Sequence, residues 1–453
     1  EMFFDDALTA SKELEITLTG KDCGLPERAP MCGVPHHAVD VYLNRLVQKG
    51  YKVAVAEQME DPKQAKGIVK REVIRVVTPG TILSSQALDE GKNNYLMSIV
   101  YLGRFFGISI ADISTGDFYV TEVDQLRTLT DEINKFMPSE IICNEAFYMS
   151  GADIDDLKNR LTISISSMEN YYFDDDRCRQ ILLDHFHVSR LEGLGITDYP
   201  IGMIASGALL QYLYETQKND VAQLTAIHPY QTGKYMIIDT STRRNLELTE
   251  TLREKNKRGS LLWVLDQTRT AMGARTLRSW IEQPLIDRQE IIQRQDALEE
   301  LNENFILREE LAEYLNPIYD LERLISRIIN KTANPRDLIA FKNSLAMLPP
   351  VKELLGQFRS DKLKEAWEEL DDLKDIFDLI DASIIEDPPV TLREGGLIKD
   401  GFNEQADQYR KAKTDGKSWL TQLEIREKEK TGIKNLRIKY NKVFGYYLEV
   451  TNS

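Results

Sequence analysis

Tyr95-Leu96-Met97-Ser98-Ile99-Val100-Tyr101, Phe105-Phe106-Gly107-Ile108-Ser109-Ile110-Ala111-Asp112-Ile113 and Asp117-Phe118-Tyr119-Val120-Thr121-Glu122-Val123 are three apolar, β-branched runs, separated by short segments that contain Gly103 and Gly116. Runs of this length joined by glycine-containing turns read as a β-meander. Helical spacing follows over about 125–136, and then the strand Glu140-Ile141-Ile142-Cys143. Strands first, then helix alternating with strand, predict an α/β domain that ends near residue 220.

On the N-terminal side, the first 85 residues mix short helices and strands. Ala38 to Val47 carries apolar residues at helical spacing and ends near Gly50, Lys52-Val53-Ala54-Val55-Ala56 reads as a strand, and Val73-Ile74-Arg75-Val76-Val77 is a second strand stopped by Pro79-Gly80. A small α/β module is expected there. Beyond about residue 240 the pattern is helical. Asp287 with Glu290 predicts a capping box opening a helix with Ile291, Leu298 and Leu301 on one face and the stem of Arg294 between them. Leu321, Leu324, Ile325, Ile328 and Ile329 form a second stripe. Asn334-Pro335-Arg336-Asp337 punctuates before another helix at Leu338, and Pro349-Pro350 and Pro388-Pro389 mark further breaks. The acidic run at 361–377, with Leu363, Trp367, Leu370 and Leu373, reads as the solvated face of one amphipathic helix. A long helix over about 402–430 is polar on most faces, as in helices that bridge space. After Gly432 the period becomes two: Leu436, Ile438 and Tyr440 alternate with Arg437, Lys439 and Asn441, a strand with one basic face.

Length and composition bound the possibilities. A chain of 453 residues with 42% hydrophobic and 29% charged residues is an ordinary globular one of about three domains. No run reaches the ~18 apolar residues of a membrane-spanning helix, so no membrane partner is expected. The opening Glu1-Met2-Phe3-Phe4-Asp5-Asp6 has no basic region before an apolar stretch and no initiator methionine, so the native chain is expected to begin upstream, without a secretory leader. Cys23, Cys32, Cys143 and Cys178 are too few for a disulfide framework and point to a reducing cytoplasm. Cys23, Cys32, His36 and His37 invite a zinc reading. The nine-residue step between the cysteines does not match a structural zinc pair, and ordinary loop residues are the expectation. A net charge of −16 excludes a surface coated in basic residues, but not a local nucleic-acid contact.

Three catalytic readings fail on their residues. Gly416-Lys417-Ser418 ends like a phosphate-binding loop, but Lys411 stands where the earlier glycine is needed and the segment is helical. Asp112, Asp117 and Glu122 could be metal ligands of a nuclease. The competing reading, preferred here, is that Asp112 and Asp117 frame the Ser114-Thr115-Gly116 turn. No nucleophile elbow supports a Ser/His/Asp hydrolase. Two basic clusters remain. Lys63, Lys66, Lys70, Arg71 and Arg75 lie among only two acids between residues 61 and 80, and Lys434, Arg437, Lys439 and Lys442 occur without an acid between 431 and 447. Each could neutralise a few phosphates; each is also what a solvated surface looks like.

The motifs along the chain resemble those of the bacterial MutS family of mismatch-recognition proteins. Glu1-Met2-Phe3-Phe4-Asp5-Asp6-Ala7 resembles the segment after the start of the family's Phe-x-Glu motif. Pro30-Met31-Cys32-Gly33-Val34-Pro35-His36-His37-Ala38, Val55-Ala56-Glu57-Gln58 and Val76-Val77-Thr78-Pro79-Gly80-Thr81 continue the likeness. So do Thr242-Arg243-Arg244-Asn245-Leu246-Glu247-Leu248, Met272 to Arg275, Gln283-Pro284-Leu285, Asp320 to Leu324, Asn334 to Leu338 and Phe444-Gly445-Tyr446-Tyr447.

The resemblance implies a multidomain α/β plus mainly α fold. A mismatch-recognition domain would span 1–85, an RNase H-like connector without nuclease activity 86–225, core and lever helices 226–430, and the beginning of a β-rich clamp 431–453. It implies binding of mispaired or unpaired bases by minor-groove insertion and kinking, which costs least where stacking is already poor. Glu1 matches the Glu of the motif. The Phe two positions earlier is not in this sequence, so weak, salt-dependent binding with little mismatch preference is expected. Lys21, Met31 and Arg71 fall where the family's domain approaches DNA, with a buried loop methionine as the other reading of Met31. Arg437 and Lys439 are the clamp-side phosphate candidates. ATP, Mg²⁺, the homodimer and a MutL-type partner belong to the intact protein. This chain, expected to stop before the ATPase domain, is read as non-enzymatic, without cofactor or metal. The rival is a scaffold whose helical arm spaces two α/β domains.

Overall fold

Short strands and helices alternate through the first eighty residues of the computed structural model, which describes residues 1–24, 26–35, 38–60, 69–84, 86–441 and 445–450. Met2–Phe3 (β1), Thr19–Lys21 (β2) and Ala29–Cys32 (β3) form an antiparallel sheet of order β1-β3-β2. The helix Phe4–Leu14 covers one face of it, burying Ala7, Ala10 and Leu14 against Cys32 and Leu46. That helix ends where Glu15 turns left-handed (φ 57°) and its N–H returns to the Ser11 carbonyl. Cys32, expected in a loop, is a strand residue whose thiol sits 3.5 Å from the Ala7 carbonyl; the histidines of the zinc reading lie outside the described residues. Val53–Gln58 (β4) and Arg71–Val77 (β5) pair antiparallel, each reaching two residues further toward the connecting segment than periodicity indicated.

The meander forms as read: Leu96–Leu102 (β6), Phe105–Asp112 (β7) and Asp117–Val123 (β8) are antiparallel neighbours. Glu140–Cys143 (β9) lies parallel to β6, Ser164–Ser167 (β10) parallel to β9, and His228–Pro229 (β11) parallel to β8, giving the order β10-β9-β6-β7-β8-β11. A three-stranded meander extended by parallel strands beside its first member is the RNase H-like arrangement. Strand alternation divides the side chains between two cores. Leu96, Val100, Phe118 and Val120 meet the helices Asp175–His185 and Pro200–Gln217, while Met97, Ile99, Ile108 and Ile110 meet Leu126–Phe136. Burial on both faces explains why these strands read as continuous apolar runs rather than alternating ones.

The helical stretch departs from its expected faces. In Arg288–Glu303 only Ala297 is buried and Leu298 is 65% exposed, while Arg294 lies 3.8 Å from the Trp280 ring centre. Asp287 caps the Glu290 N–H at 2.9 Å, but the Glu290 carboxylate pairs with Lys234 (3.1 Å). In Leu321–Ile329 the buried residues are Arg323, Leu324 and Ser326, and Ile325 is exposed. Helix Pro335–Leu345 starts three residues before the expected Leu338, with Asn334 and Asp337 capping each other's N–H groups at 3.1 and 2.8 Å. The acidic run is two helices, Asp361–Glu369 and Lys374–Ser383, broken where Leu373 adopts φ 49°.

The chain gathers into two compact units, Glu1–Ala333 with Asn343–Asp372 and Asn334–Lys342 with Leu373–Ser453. The second contains the long helix Glu404–Thr431, in which no described side chain is buried, and the hairpin Leu436–Asn441 (β12) with Gly445–Val450 (β13). Gly432 ends the helix at φ 69°, its N–H bonding the Lys428 carbonyl.

Candidate nucleic-acid interface

Pairing register decides which side chains share a face of the N-terminal sheet. Phe3 and Thr19 both stand opposite Met31, while Met2 pairs with Cys32. Cys32 and Met2 pack into the core under the sheet, so alternation sends Phe3 and Met31 to the other side. Lys21 reaches that side from β2. Its ammonium is 3.3 Å from the Glu1 carboxylate and 5.3 Å from the centre of the Phe3 ring. Three candidates, Glu1, Lys21 and Met31, therefore come together, with Phe3 as a fourth member that was not singled out. No spacing in the sequence marked it, because β1 is only the pair Met2–Phe3 and its register with β3 sets the face. Met31 is half-buried and in a strand, not a buried loop residue. Glu1 and Lys21 remain accessible, with side chains 59% and 48% exposed.

Arg71 is not in this group. It opens β5 on the separate β4–β5 sheet, exposed and opposite Gln58. Of its basic neighbours, Arg75 pairs with Asp40 (3.0 Å) and Lys70 with Glu72 (2.6 Å), which raises the Lys70 pKa; Lys63 and Lys66 lie outside the described residues.

Arg437 and Lys439 share a face of β12, but that face is not purely basic. Glu449 of β13 stands opposite Arg437 and its carboxylate pairs with Lys439 at 2.5 Å, raising the lysine's pKa. The expectation of an acid-free cluster ended at residue 447, just short of it. Lys442 falls outside the described residues. The Glu424 carboxylate of the long helix accepts from Lys428 (2.6 Å) and from the Ile438 N–H (3.0 Å), joining hairpin to helix end. The hydrogen bond from Lys428 is the main reason its pKa is lowered.

The three carboxylates of the nuclease reading are engaged otherwise. Asp112 is fully buried and accepts from the Ser114 N–H (2.8 Å), the Ser114 hydroxyl (2.7 Å), the Asn94 N–H (2.9 Å) and the Asn93 amide (3.0 Å). Asp117 accepts from the Thr115 and Tyr119 hydroxyls at 2.7 and 3.0 Å, and burial raises its pKa. Glu122 caps the helix at Pro200, accepting from the Ile201 N–H at 2.9 Å. The turn reading of Asp112 and Asp117 holds. Among the described residues no cluster of His, Cys, Asp and Glu is arranged to hold a metal, and no helix is long and apolar enough to cross a membrane.

Comparison with known proteins agrees with this architecture. Family models match three consecutive blocks: MutS domain I over residues 1–86, MutS domain II over 94–227 and MutS domain III over 241–446. The DNA mismatch repair protein MutS of Lachnoclostridium phytofermentans is 62% identical over 453 residues, covering 100% of this chain and 49% of that protein. The protein of the same name from Ruminiclostridium cellulolyticum is 52% identical over 456 residues, covering 100% of this chain and 52% of its own length. That of Acetivibrio thermocellus is 51% identical with the same coverage. The chain thus spans about half the length of the curated relatives it matches. With three successive MutS domain models in order, an RNase H-like middle domain, and identity across all of its residues, this chain belongs to the MutS family.

Proposed function

We propose that the whole protein represented by this chain recognises mispaired or unpaired bases in duplex DNA, with residues 1–85 as the recognising domain. The observation that carries the reading is the gathering of Glu1, Phe3, Lys21 and Met31 on one sheet face. A ring and a thioether beside it can press against a poorly stacked base, a carboxylate can accept a hydrogen bond from a base edge, and an ammonium can meet a phosphate. Residues 86–225 are assigned as connector, 226–430 as core and levers, and 431–453 as the start of a clamp whose Arg437 and Lys439 take phosphates. Homodimerisation, a MutL-type partner, a cytoplasmic location, and ATP with Mg²⁺ belong to the same reading of the whole protein. ATP turnover is assigned to the part of the relatives that this chain does not span.

Fluorescence anisotropy of a short duplex with a G·T mismatch, against its matched control, tests this. Binding is expected to weaken steeply between about 50 and about 200 mM salt, and Lys21→Gln and Arg437→Gln should each reduce the log–log slope by about one. The ratio between duplexes reports the discrimination held by these residues. Absence of binding to both duplexes at low salt would favour the scaffold reading, in which the helical arm only spaces two α/β domains.

A further inference from the structure

A cleft of about 390 Å³ in the first unit lies between the 92–162 region and residues 243–283. Eight lysines and arginines line it against two glutamates, Glu250 and Glu282, in a chain of net charge −16. Three of those cations are matched: Lys135 by Glu132 (3.3 Å), Arg160 by Asp156 (2.6 Å) and Arg275 by Asp320 (2.7 Å). Arg243 and Arg278 have one carboxylate between them. Their side chains are only 12% and 19% exposed, and both lean on the one carboxylate of Glu282, at 3.6 and 3.3 Å. Among the described residues, Nε and Nη1 of Arg243, Nε of Arg278 and the Thr251 hydroxyl are buried without a hydrogen-bond partner. Folded proteins leave few buried donors without an acceptor, and these four belong to residues that line the cleft. Burial lowers the Arg243 pKa, Glu282 opposes that, and the neighbouring Arg278 adds to it, as expected for a positive site short of negative charge.

We propose that this cleft binds the phosphate group of a small molecule, with Arg243 and Arg278 gripping its oxygens and Thr251 donating to a third. The surplus is of cations with planar, forked donors, which match phosphate oxygens in pairs. A carboxylate is already supplied by Glu282 and leaves these donors unfilled. The inference does not depend on the DNA reading, because its residues lie outside the sheet and hairpin described above.

Isothermal titration calorimetry of the 453-residue chain with inorganic pyrophosphate and, separately, with ADP at constant ionic strength tests it. Saturable one-to-one binding of at least one probe is expected, weakened about tenfold or more by Arg278→Gln. Tighter binding of ADP assigns the site to a phosphorylated nucleoside, and equal affinity assigns it to the phosphate moiety alone. Should Arg278→Gln fail to fold by circular dichroism, Glu282→Gln decides: removal of the competing carboxylate is expected to tighten binding about threefold or more. No saturable heat with either probe, or unchanged affinity in the folded variants, would overturn the proposal.

Discussion

Glu140 shows how much a single side chain can depend on distant sequence. It is fully buried, yet its carboxylate accepts from the Thr78 hydroxyl (2.5 Å), the Gly80 N–H (3.1 Å) and the Tyr212 hydroxyl (2.7 Å), with the Lys52 ammonium at 3.0 Å. The hydroxyl partners are 62 and 72 residues away, so strand periodicity placed Glu140 in β9 but could not reveal why a charge is tolerated there. Asp112 and Asp117 were legible because most of their partners are turn neighbours. His185 offers a pH test. Its Nε2 is 2.8 Å from the Leu224 carbonyl and its Nδ1 2.6 Å from the Tyr214 hydroxyl. A carbonyl only accepts, so Nε2 carries the proton and Nδ1 accepts from Tyr214 in the neutral ring. Burial lowers the His185 pKa, outweighing the Leu224 carbonyl. The unfolded chain therefore takes up this proton first as pH falls. The stability contribution is complete above the unfolded value of about 6.5 and is lost as pH drops through the folded value. Urea midpoints measured from about pH 7 down to about pH 5 should fall more steeply in the parent chain than in His185→Gln.

The helix Pro200–Gln217 is the central packing piece of the RNase H-like domain, and two glycines set its approach. A Cβ on Gly107 would lie 2.2 Å from the Ile201 carbonyl oxygen, and one on Gly207 would lie 2.4 Å from the Cys178 Cβ. Neither neighbour can swing aside, since one is backbone and the other is the first atom of a buried side chain. Gly107→Ala is expected to destabilise the domain by at least about 2 kcal/mol in urea titrations. Gly416 is the contrast. A Cβ there meets open space inside Glu404–Thr431, so Gly416→Ala should raise stability by about 0.5–1 kcal/mol through helix propensity, seen as a higher melting temperature of the second unit. The same contrast explains which elements were readable. Doubly buried strands and a long capped helix announce themselves locally. The faces of Arg288–Glu303 and Leu321–Ile329 did not, because several of their neighbours come from remote segments.

Within the larger unit, Arg275 and Arg323 tie the segment after the first domain to the helices beyond residue 270. Arg275 donates to both oxygens of Asp320 (2.7 and 2.8 Å), to Glu322 (2.6 Å) and to the Glu90 carbonyl (2.9 Å). Arg323 donates to the Asp89 and Lys92 carbonyls at 2.9 and 2.7 Å. Arg275→Met would leave the largely buried Asp320 carboxylate with only the Arg323 guanidinium at 3.8 Å as a counter-charge, and cost about 3 kcal/mol. Limited proteolysis should then cut the 86–93 segment faster than in the parent, and equal rates would show that the joint is held by other contacts. By itself, the sequence determined most element types, the order of the modules, the turn role of Asp112 and Asp117 and the family, because these rest on local periodicity, turn chemistry and motif order. Only the tertiary structure decided that Phe3 joins Glu1, Lys21 and Met31 while Arg71 does not, that Glu449 tempers the basic hairpin, and that Arg243 and Arg278 share one carboxylate. Strand register and long-range packing bring those groups together, and neither is written in the spacing of residues along the chain.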